Sequence, residues 1–237
     1  MRTPADVLHS LLAADPTRPR LTWYDDEPGP SLGERIELSG RVLANWVAKA
    51  ANLLQDDAAA APGTTVGLDL PTHWRTAYWA LAGWEVGATV VVGADAVGAD
   101  LLVTDSAERA AAHGGDAVLV TLPALARSHP DAAEAGAAVD EARELATYGD
   151  RFCALSAAEP AEVALSAGGV DTAYGALVRP RPDWGPAPRV VVATDPATAL
   201  VQALSAWAAD GSVLMMRGSR AGVEHRLESE GVTLDLR

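Results

Sequence analysis

The chain is poor in cysteine and in basic residues, and each shortage excludes a class of protein. Cys153 is its single cysteine, so an intramolecular disulfide framework is excluded and we expect a cytoplasmic protein. Lysine and arginine number 18 against 32 aspartate and glutamate residues, which gives a formal net charge of −14. Nucleic acids and anionic membranes are bound by basic surfaces that neutralise phosphate, so we expect neither partner.

Long hydrophobic runs are also missing. No segment approaches the roughly 20 apolar residues of a membrane-spanning helix, and Met1 to Asp6 lacks the apolar core of a signal peptide. The 237 residues are nevertheless 49% hydrophobic, which is enough for a sizeable core. We expect a single α/β unit over residues 1–237, with candidate subdomains at 1–127 and 156–237 joined by an acidic, alanine-rich connector at 128–155.

The stretch from Ser39 to Val92 carries the clearest pattern. Apolar residues in steps of three and four follow Ser39, whose hydroxyl can cap the start of a helix. An apolar run at 66–70, a helical segment at 72–85 and a β-branched run at 89–92 come next. Strand, helix and strand at this spacing predict a βαβ unit with parallel strands.

The rest of the chain continues the alternation. Asp195 with Pro196 is a strong helix start, because proline suits the first turn. The pattern predicts an α/β fold with mostly parallel sheets flanked by helices. Further strands are predicted at 101–105, 117–121, 190–194 and 212–216, and further helices at 139–148 and 220–229.

Three pieces of the first stretch stand in a distinctive order: Pro62-Gly63, Val66-Gly67-Leu68-Asp69-Leu70-Pro71 and Ala80-Leu81-Ala82-Gly83-Trp84-Glu85-Val86-Gly87-Ala88. In that order and spacing they resemble the N-terminal region of the adenylate-forming (AMP-binding, acyl-CoA synthetase/ligase-like) superfamily. The segment at 190–234 resembles the family's second subdomain. The resemblance implies a fold like the N-terminal subdomains of those enzymes. Because the matched residues are scaffold, it indicates fold more than activity.

The family's phosphate loop is a run of serine, threonine and glycine that ends in Pro-Lys-Gly. The resemblance places it at 165–172 here, where Ser166, Gly168 and Gly169 are the candidate cofactor-binding residues. The threonine pair and the lysine are absent, and Asp171 adds a repulsive charge. A tight turn between two strands is therefore the favoured interpretation. The alternative is a degenerate site that binds ATP, AMP or coenzyme A, and we predict no cofactor.

Catalytic residues are not found. The resemblance places the family's magnesium-binding motif and catalytic lysine beyond residue 237, and the single lysine, Lys49, is expected to snorkel along its helix or to be solvated. Five scattered histidines lack the spacing of a metal site. We predict a non-catalytic relative that binds a small acyl or nucleotide ligand, or another protein. The alternative is a nucleotide- or acyl-binding enzyme subunit, acyl-CoA ligase-like, whose missing motifs come from a partner chain.

Aromatic residues concentrate on the predicted helix at 72–85. Trp74 and Tyr78 share a face, with Trp79 and Trp84 nearby. Packing against the sheet is the simpler interpretation. Any aromatic residues left exposed would form a contact for a protein partner or a homo-oligomer. Cys153 is expected to be a buried small hydrophobic residue.

Overall fold

The computed structural model describes residues 2–218 and 222–237. Its helices are α1 (Pro4–Ala14), α2 (Gly40–Asn52), α3 (Trp74–Glu85), α4 (Ala107–Ala112), α5 (Glu141–Glu144), α6 (Tyr174–Leu177), α7 (Pro196–Ala208) and α8 (Val223–Ser229). Its strands are β1 (Pro19–Asp25), β2 (Arg35–Ser39), β3 (Thr65–Asp69), β4 (Thr89–Val92), β5 (Leu101–Thr104), β6 (Asp116–Leu119), β7 (Val139–Asp140), β8 (Val163–Ala167), β9 (Val170–Ala173), β10 (Arg189–Val191), β11 (Ser212–Arg217) and β12 (Leu234–Asp235).

Helix ends follow the sequence closely. Ser39 caps α2 and Asp195 caps α7, each by accepting a hydrogen bond from the backbone N–H three residues on. Residues 220 and 221 of the predicted helix at 220–229 lie outside the described residues, and α8 begins at Val223. Among the helices described at 2–218 and 222–237, none has the length and apolar character needed to cross a bilayer.

A seven-stranded sheet forms the larger layer, in the order β7-β6-β5-β3-β4-β8-β9. Every neighbouring pair is parallel except the hairpin of β8 and β9. The predicted βαβ unit is confirmed as β3, α3 and β4. Parallel strands need covering layers on both faces, and α3 covers one face while a 3₁₀ turn at Ala94–Gly98 lies against β3 on the sheet.

A five-stranded sheet has the order β12-β10-β11-β1-β2 and is parallel except for the hairpin of β1 and β2. It pairs Leu21 with Val213, so it joins an early segment of the chain to a late one. Each of the two sheets takes strands from both candidate subdomains, 1–127 and 156–237, and β7 comes from the connector. The sheets therefore do not follow the predicted division.

Helix α3 lies at the centre of the molecule, in contact with α1, α2 and α7 and with strands of both sheets. Every residue from Trp74 to Trp84 is buried. The aromatic side chains on α3 are at most 3% exposed, which confirms the simpler interpretation that they pack in the core and contradicts the alternative of aromatic residues left exposed. A partner or homo-oligomer contact at Trp74 and Tyr78 has no exposed aromatic surface on which to form.

The connector differs from its prediction. The helix expected at 139–148 is replaced by the short strand β7, the one-turn helix α5 and a 3₁₀ turn at Leu145–Thr147. Glu141 and Leu145 point into the protein and are 2% and 0% exposed. The segment is therefore anchored at two buried side chains, and it lies against the core where the sequence predicted an exposed helix.

Residues 146–155, here called the strap, run along α2 and its π-helical extension at Leu53–Asp57. Lys49 donates to the carbonyl of Ala146 at 3.0 Å, and Asn52 donates to the carbonyls of Gly149 and Arg151 at 3.0 and 2.9 Å. Gln55 accepts from the N–H of Leu155 at 3.0 Å. Lys49 is thus bound to the strap, in contrast to the expected solvated lysine.

Cys153 is exposed, so the prediction that it is buried is wrong. Its carbonyl accepts from Gln55 at 3.4 Å, which holds the backbone on the surface of the helix. With the backbone fixed there, the thiol faces solvent. Leu155 is also exposed, at 86%.

Candidate functional site

The segment that resembles a phosphate loop is a β-hairpin. Ser166 in β8 pairs with Asp171 in β9, and Gly168 and Gly169 form the two-residue turn between the strands. Both glycines have positive φ, at 57° and 76°, as the tightest hairpin turns require. The structure thus brings the three candidate residues together at the tip of one hairpin on the edge of the seven-stranded sheet.

This hairpin does not fit a triphosphate. A phosphate-binding loop uses several consecutive backbone N–H groups to surround the anion, whereas a two-residue turn has two central residues. The carboxylate of Asp171 lies beside Ser166 in the ladder and repels an anion. No threonine pair or lysine lies between Leu165 and Thr172. The favoured interpretation of a tight turn between two strands is confirmed, and the alternative of nucleotide binding here is not supported by this geometry.

A second candidate lies where the central parallel strands end. Two adjoining cavities of about 290 and 510 Å³ share the residues Asp69, Gly93, Ala94 and Arg109. The first is also lined by Asp105 and by Pro196 at the start of α7. Because parallel strands direct their carboxyl ends to one edge, β3, β4 and β5 all deliver residues here. We call this site the carboxyl-edge cleft.

Opposite charges face each other in the carboxyl-edge cleft. Arg109 Nε lies 2.9 Å from Asp69 Oδ2, and the Thr104 hydroxyl donates to the same oxygen at 2.5 Å. The Arg109 side chain is 53% exposed and the Asp69 side chain 17%. The guanidinium can therefore reach a bound molecule while Asp69, itself held by Thr104, binds one of its nitrogens.

Asp105 is the other acid of the carboxyl-edge cleft. Burial raises the pKa of Asp105, and the negative charge of Asp69 raises it further. Within the described part of the chain Asp105 forms no ion pair, and the charge of Arg109 opposes the rise in its pKa. Burial therefore disfavours the ionised form of Asp105 within the carboxyl-edge cleft.

The two sheets meet beside the carboxyl-edge cleft. The hydroxyl of Thr72, after β3, donates to the carbonyl of Thr194, after β10, at 2.7 Å. His73 follows and caps α3, where its Nδ1 accepts from the N–H of Arg75 at 3.2 Å. Burial lowers the pKa of His73, and the charges of Arg75 and Arg217 lower it further. His73 is therefore a neutral capping residue that fixes the wall of the cleft.

A buried polar cluster anchors the connector to α3. Glu141 accepts from Arg75 at 3.0 Å and from the indole of Trp79 at 3.0 Å, and it also accepts from the hydroxyl of Tyr78. Burial raises the pKa of Glu141 to about 7, although the charge of Arg75 opposes this. The cluster is shut off from solvent, since Arg75 is 4% and Glu141 2% exposed, so its role is to hold the connector.

Sequence reasoning found neither Arg109 nor Glu141. Arg109 stands on a short alanine-rich helix, and its only signal is its position one turn after a buried strand. Glu141 stands in an acidic connector where nothing local separates it from exposed neighbours. In the described ranges, 2–218 and 222–237, no group of three histidine, cysteine, aspartate or glutamate side chains could hold a metal ion.

Comparisons with solved structures agree with the architecture. Brucella canis acyl-CoA synthetase superposes with a TM-score of 0.73 at 17% identity, over 98% of this chain and 46% of its own. The Klebsiella oxytoca NpsA N-terminal subdomain superposes with a TM-score of 0.66 at 15% identity, over 99% and 61%. A fused adenylation–PCP di-domain, NpsA-ThdA from Klebsiella oxytoca, gives a TM-score of 0.69 at 16% identity, over 99% and 43%.

The chain thus has the α/β fold of the N-terminal region of adenylate-forming enzymes, as the resemblance implied. It spans about half the length of the solved chains it matches. A TIGR03089 family protein of Mycobacterium tuberculosis is 54% identical over 71 residues, which is 30% of this chain and 28% of that protein. No protein-family model matches the sequence.

Proposed function

We propose that this chain is a non-catalytic module that binds a small acyl or nucleotide ligand in the carboxyl-edge cleft. The proposal rests on a difference between the hairpin of the seven-stranded sheet and the cavity at the ends of its central strands. The hairpin at the phosphate-loop position has only a two-residue turn. In contrast, the cavity at the ends of β3, β4 and β5 is open and contains charged groups. Binding without phosphoryl chemistry is the activity that this combination supports.

The polar end of the ligand would lie at Arg109. Its guanidinium is half exposed and keeps N–H groups beyond the one that faces Asp69, so it can bind a carboxylate or a phosphate. Asp105 lines the same cavity, and its burial disfavours the charged carboxylate that would repel an anionic group. The apolar part of the ligand would lie against Leu70 and Pro71.

Thermal unfolding with a ligand panel tests the proposal. The panel holds Mg-ATP, AMP, coenzyme A, and fatty and aryl acyl-adenylate analogues. A ligand at a hundredfold excess over its Kd adds about 2.7 kcal/mol to the unfolding free energy, which for a chain of this size raises Tm by roughly 2–4 °C for each kcal/mol. Arg109→Gln should abolish the shift, and Arg41→Gln, at an exposed site on α2, should leave it unchanged.

Three results would contradict the proposal. A panel without any shift, or a shift that survives Arg109→Gln, removes the carboxyl-edge cleft as the binding site. Pyrophosphate exchange into ATP, stimulated by an acid substrate, would show that the module is catalytic. We expect no exchange, because no lysine or threonine pair stands at the hairpin.

The second candidate function is an enzyme subunit whose missing motifs come from a partner chain. This candidate is supported by the matched share of the solved enzymes. This chain matches 43% of one and 46% of another. A partner that co-purifies and confers pyrophosphate exchange would support it. Exchange in the complex should then be lost with Arg109→Gln if the carboxyl-edge cleft binds the substrate.

A further inference from the structure

A separate cavity lies at the other end of α3. Helix α3 begins beside the carboxyl-edge cleft and ends at Glu85, four residues before β4. There α1, α2 and the strap enclose a cavity of about 310 Å³. It shares no lining residue with the carboxyl-edge cleft. We call it the α1–α2 cavity, and its apolar wall consists of Leu8, Leu12, Ala44, Val47 and Ala48.

Glu85 is the carboxylate at the inner end of the α1–α2 cavity. It is half-buried, and within residues 2–218 and 222–237 it forms neither a hydrogen bond nor an ion pair through its side chain. Burial raises the pKa of Glu85, the charge of Asp6 raises it further, and His9 opposes this. A carboxylate drawn out of water without a partner is unfavourable, so a group that brings a positive charge would be stabilised there.

The other charged groups around the α1–α2 cavity favour a cation. His9 on α1 and Asp150 and Arg151 on the strap are exposed at its rim. Asp6 lies close enough to affect Glu85. The lining thus holds two carboxylates, Glu85 and Asp150, with one guanidinium and the imidazole of His9. An anion would be repelled by Glu85, and a neutral molecule would leave the charge of Glu85 without a counter-charge.

The strap gives the α1–α2 cavity a fixed outer wall. Asn52 binds the carbonyls on both sides of Asp150, and Gln55 binds the backbone on both sides of Ala154. Phe152 is half-buried and packs against the main core. The cavity is therefore already formed in the protein alone, as binding sites for small molecules usually are.

We propose that the α1–α2 cavity binds a small aliphatic amine. The ammonium group pairs with Glu85, and the hydrocarbon chain lies against Leu8, Leu12 and Val47. This site is independent of the proposed ligand of the carboxyl-edge cleft, and the two can succeed or fail separately.

Three probes with the same carbon skeleton test the proposal: isoamylamine, isoamyl alcohol and isovalerate. Binding is followed by two-dimensional NMR of the full chain at millimolar probe. We expect the amine to shift the amide signals of α1, α2 and residues 150–152. The alcohol should bind more weakly by roughly tenfold or more, the difference that a hydrogen bond to a charged group makes. The acid should not bind.

Glu85→Gln keeps the shape of the side chain and removes its charge. It should weaken the amine to the level of the alcohol, while Glu108→Gln, at an exposed site on α4, should leave amine binding unchanged. Ala44→Leu partly fills the cavity and should weaken amine and alcohol alike. Thermal unfolding of each variant confirms that it is folded.

Several results would overturn the proposal. They are equal binding of amine and alcohol, stronger binding of the acid, unchanged binding in Glu85→Gln, and no binding of any probe. None of these results concerns Arg109. The proposal for the carboxyl-edge cleft is therefore tested independently, by its own ligand panel.

Discussion

Gly67 in β3 is the position where one added methyl group should lower the stability of the fold most. A Cβ built on Gly67 would lie 1.9 Å from the carbonyl oxygen of Ala96 and 2.8 Å from its carbonyl carbon. Ordinary van der Waals contact begins at 3.4 Å, so the 3₁₀ turn would have to move by about 1.5 Å. The atoms in the way belong to the backbone and have no rotamer that relieves the clash.

The cost of Gly67→Ala follows from this geometry. Overpacking a well-filled core typically costs 1–3 kcal/mol, and an obstacle in the backbone places this change at the upper end, about 3 kcal/mol. For a chain of this size that lowers Tm by roughly 6–12 °C. The displaced turn also carries Ala94 and Val97, which line the carboxyl-edge cleft, so ligand binding there should weaken as well.

Urea unfolding followed by tryptophan fluorescence measures the effect. Gly98→Ala is the matched control, because it changes the same residue type in the same turn and its Cβ would have nothing within 4 Å. We expect the control to stay within about 0.5 kcal/mol of the parent protein. If Gly67→Ala were as stable as Gly98→Ala, the close packing of the turn on β3 would be refuted.

Three further predictions concern the connector and the caps. Because burial raises the pKa of Glu141 from 4.5 to about 7, the folded chain holds a proton that the unfolded chain has lost, and the unfolding free energy should fall as pH rises from about 4.5 to about 7. Glu141→Gln should flatten that part of the pH profile. It should also lower stability, because the charge of Arg75 is left uncompensated. An unchanged slope would contradict the assignment of this pH dependence to Glu141. Asp195→Ala removes the bond from the Thr198 N–H at 2.8 Å and should lower the unfolding free energy by about 1 kcal/mol in urea titration, whereas Asp195→Asn should retain most of it. Asn52→Ala removes two bonds to the strap, so hydrogen exchange of residues 149–155 should accelerate while that of the seven-stranded sheet stays unchanged; equal protection in both proteins would show that Asn52 does not hold the strap.

Local sequence patterns were sufficient to predict much of the fold. The βαβ unit, the caps at Ser39 and Asp195 and the turn at Gly168 and Gly169 each depend on a few neighbouring residues. Their side-chain chemistry favours one backbone conformation wherever they occur. The order of the strands within the sheets follows from pairings between distant segments, which no local pattern encodes.

Burial was harder to predict than secondary structure. The period of α3 identified a helix, and a helix with one apolar face is the usual case. Trp74 and Tyr78 are buried because α2 brings Trp46 against both of them, with ring centroids 6.2 and 5.8 Å away. The strap shows the converse case. Cys153 was expected to be buried as a small hydrophobic residue, but it is exposed because Gln55 holds its backbone on the surface of the helix.

The site residues expected from the sequence, Ser166, Gly168 and Gly169, lie on a hairpin, and the carboxyl-edge cleft is defined only by the folded chain. The rule that ligands bind at the carboxyl ends of parallel strands points to the residues after β3, β4 and β5. It does not identify Arg109, which reaches the carboxyl-edge cleft from α4, or Asp105, whose environment depends on Asp69. Their importance follows from distances that exist only in the folded chain.

The pairing of Leu21 with Val213 sets an order of events during synthesis. Strands β3 to β9 lie between residues 65 and 173, so the seven-stranded sheet can assemble on the ribosome as soon as that segment emerges. Strand β1, with Trp23 at its centre, must wait for β11, and long-range parallel pairing of this kind is slow. Until then the early hairpin lacks the strand that covers its edge, so we expect nascent chains that end before β11 to be more prone to aggregation than the complete fold.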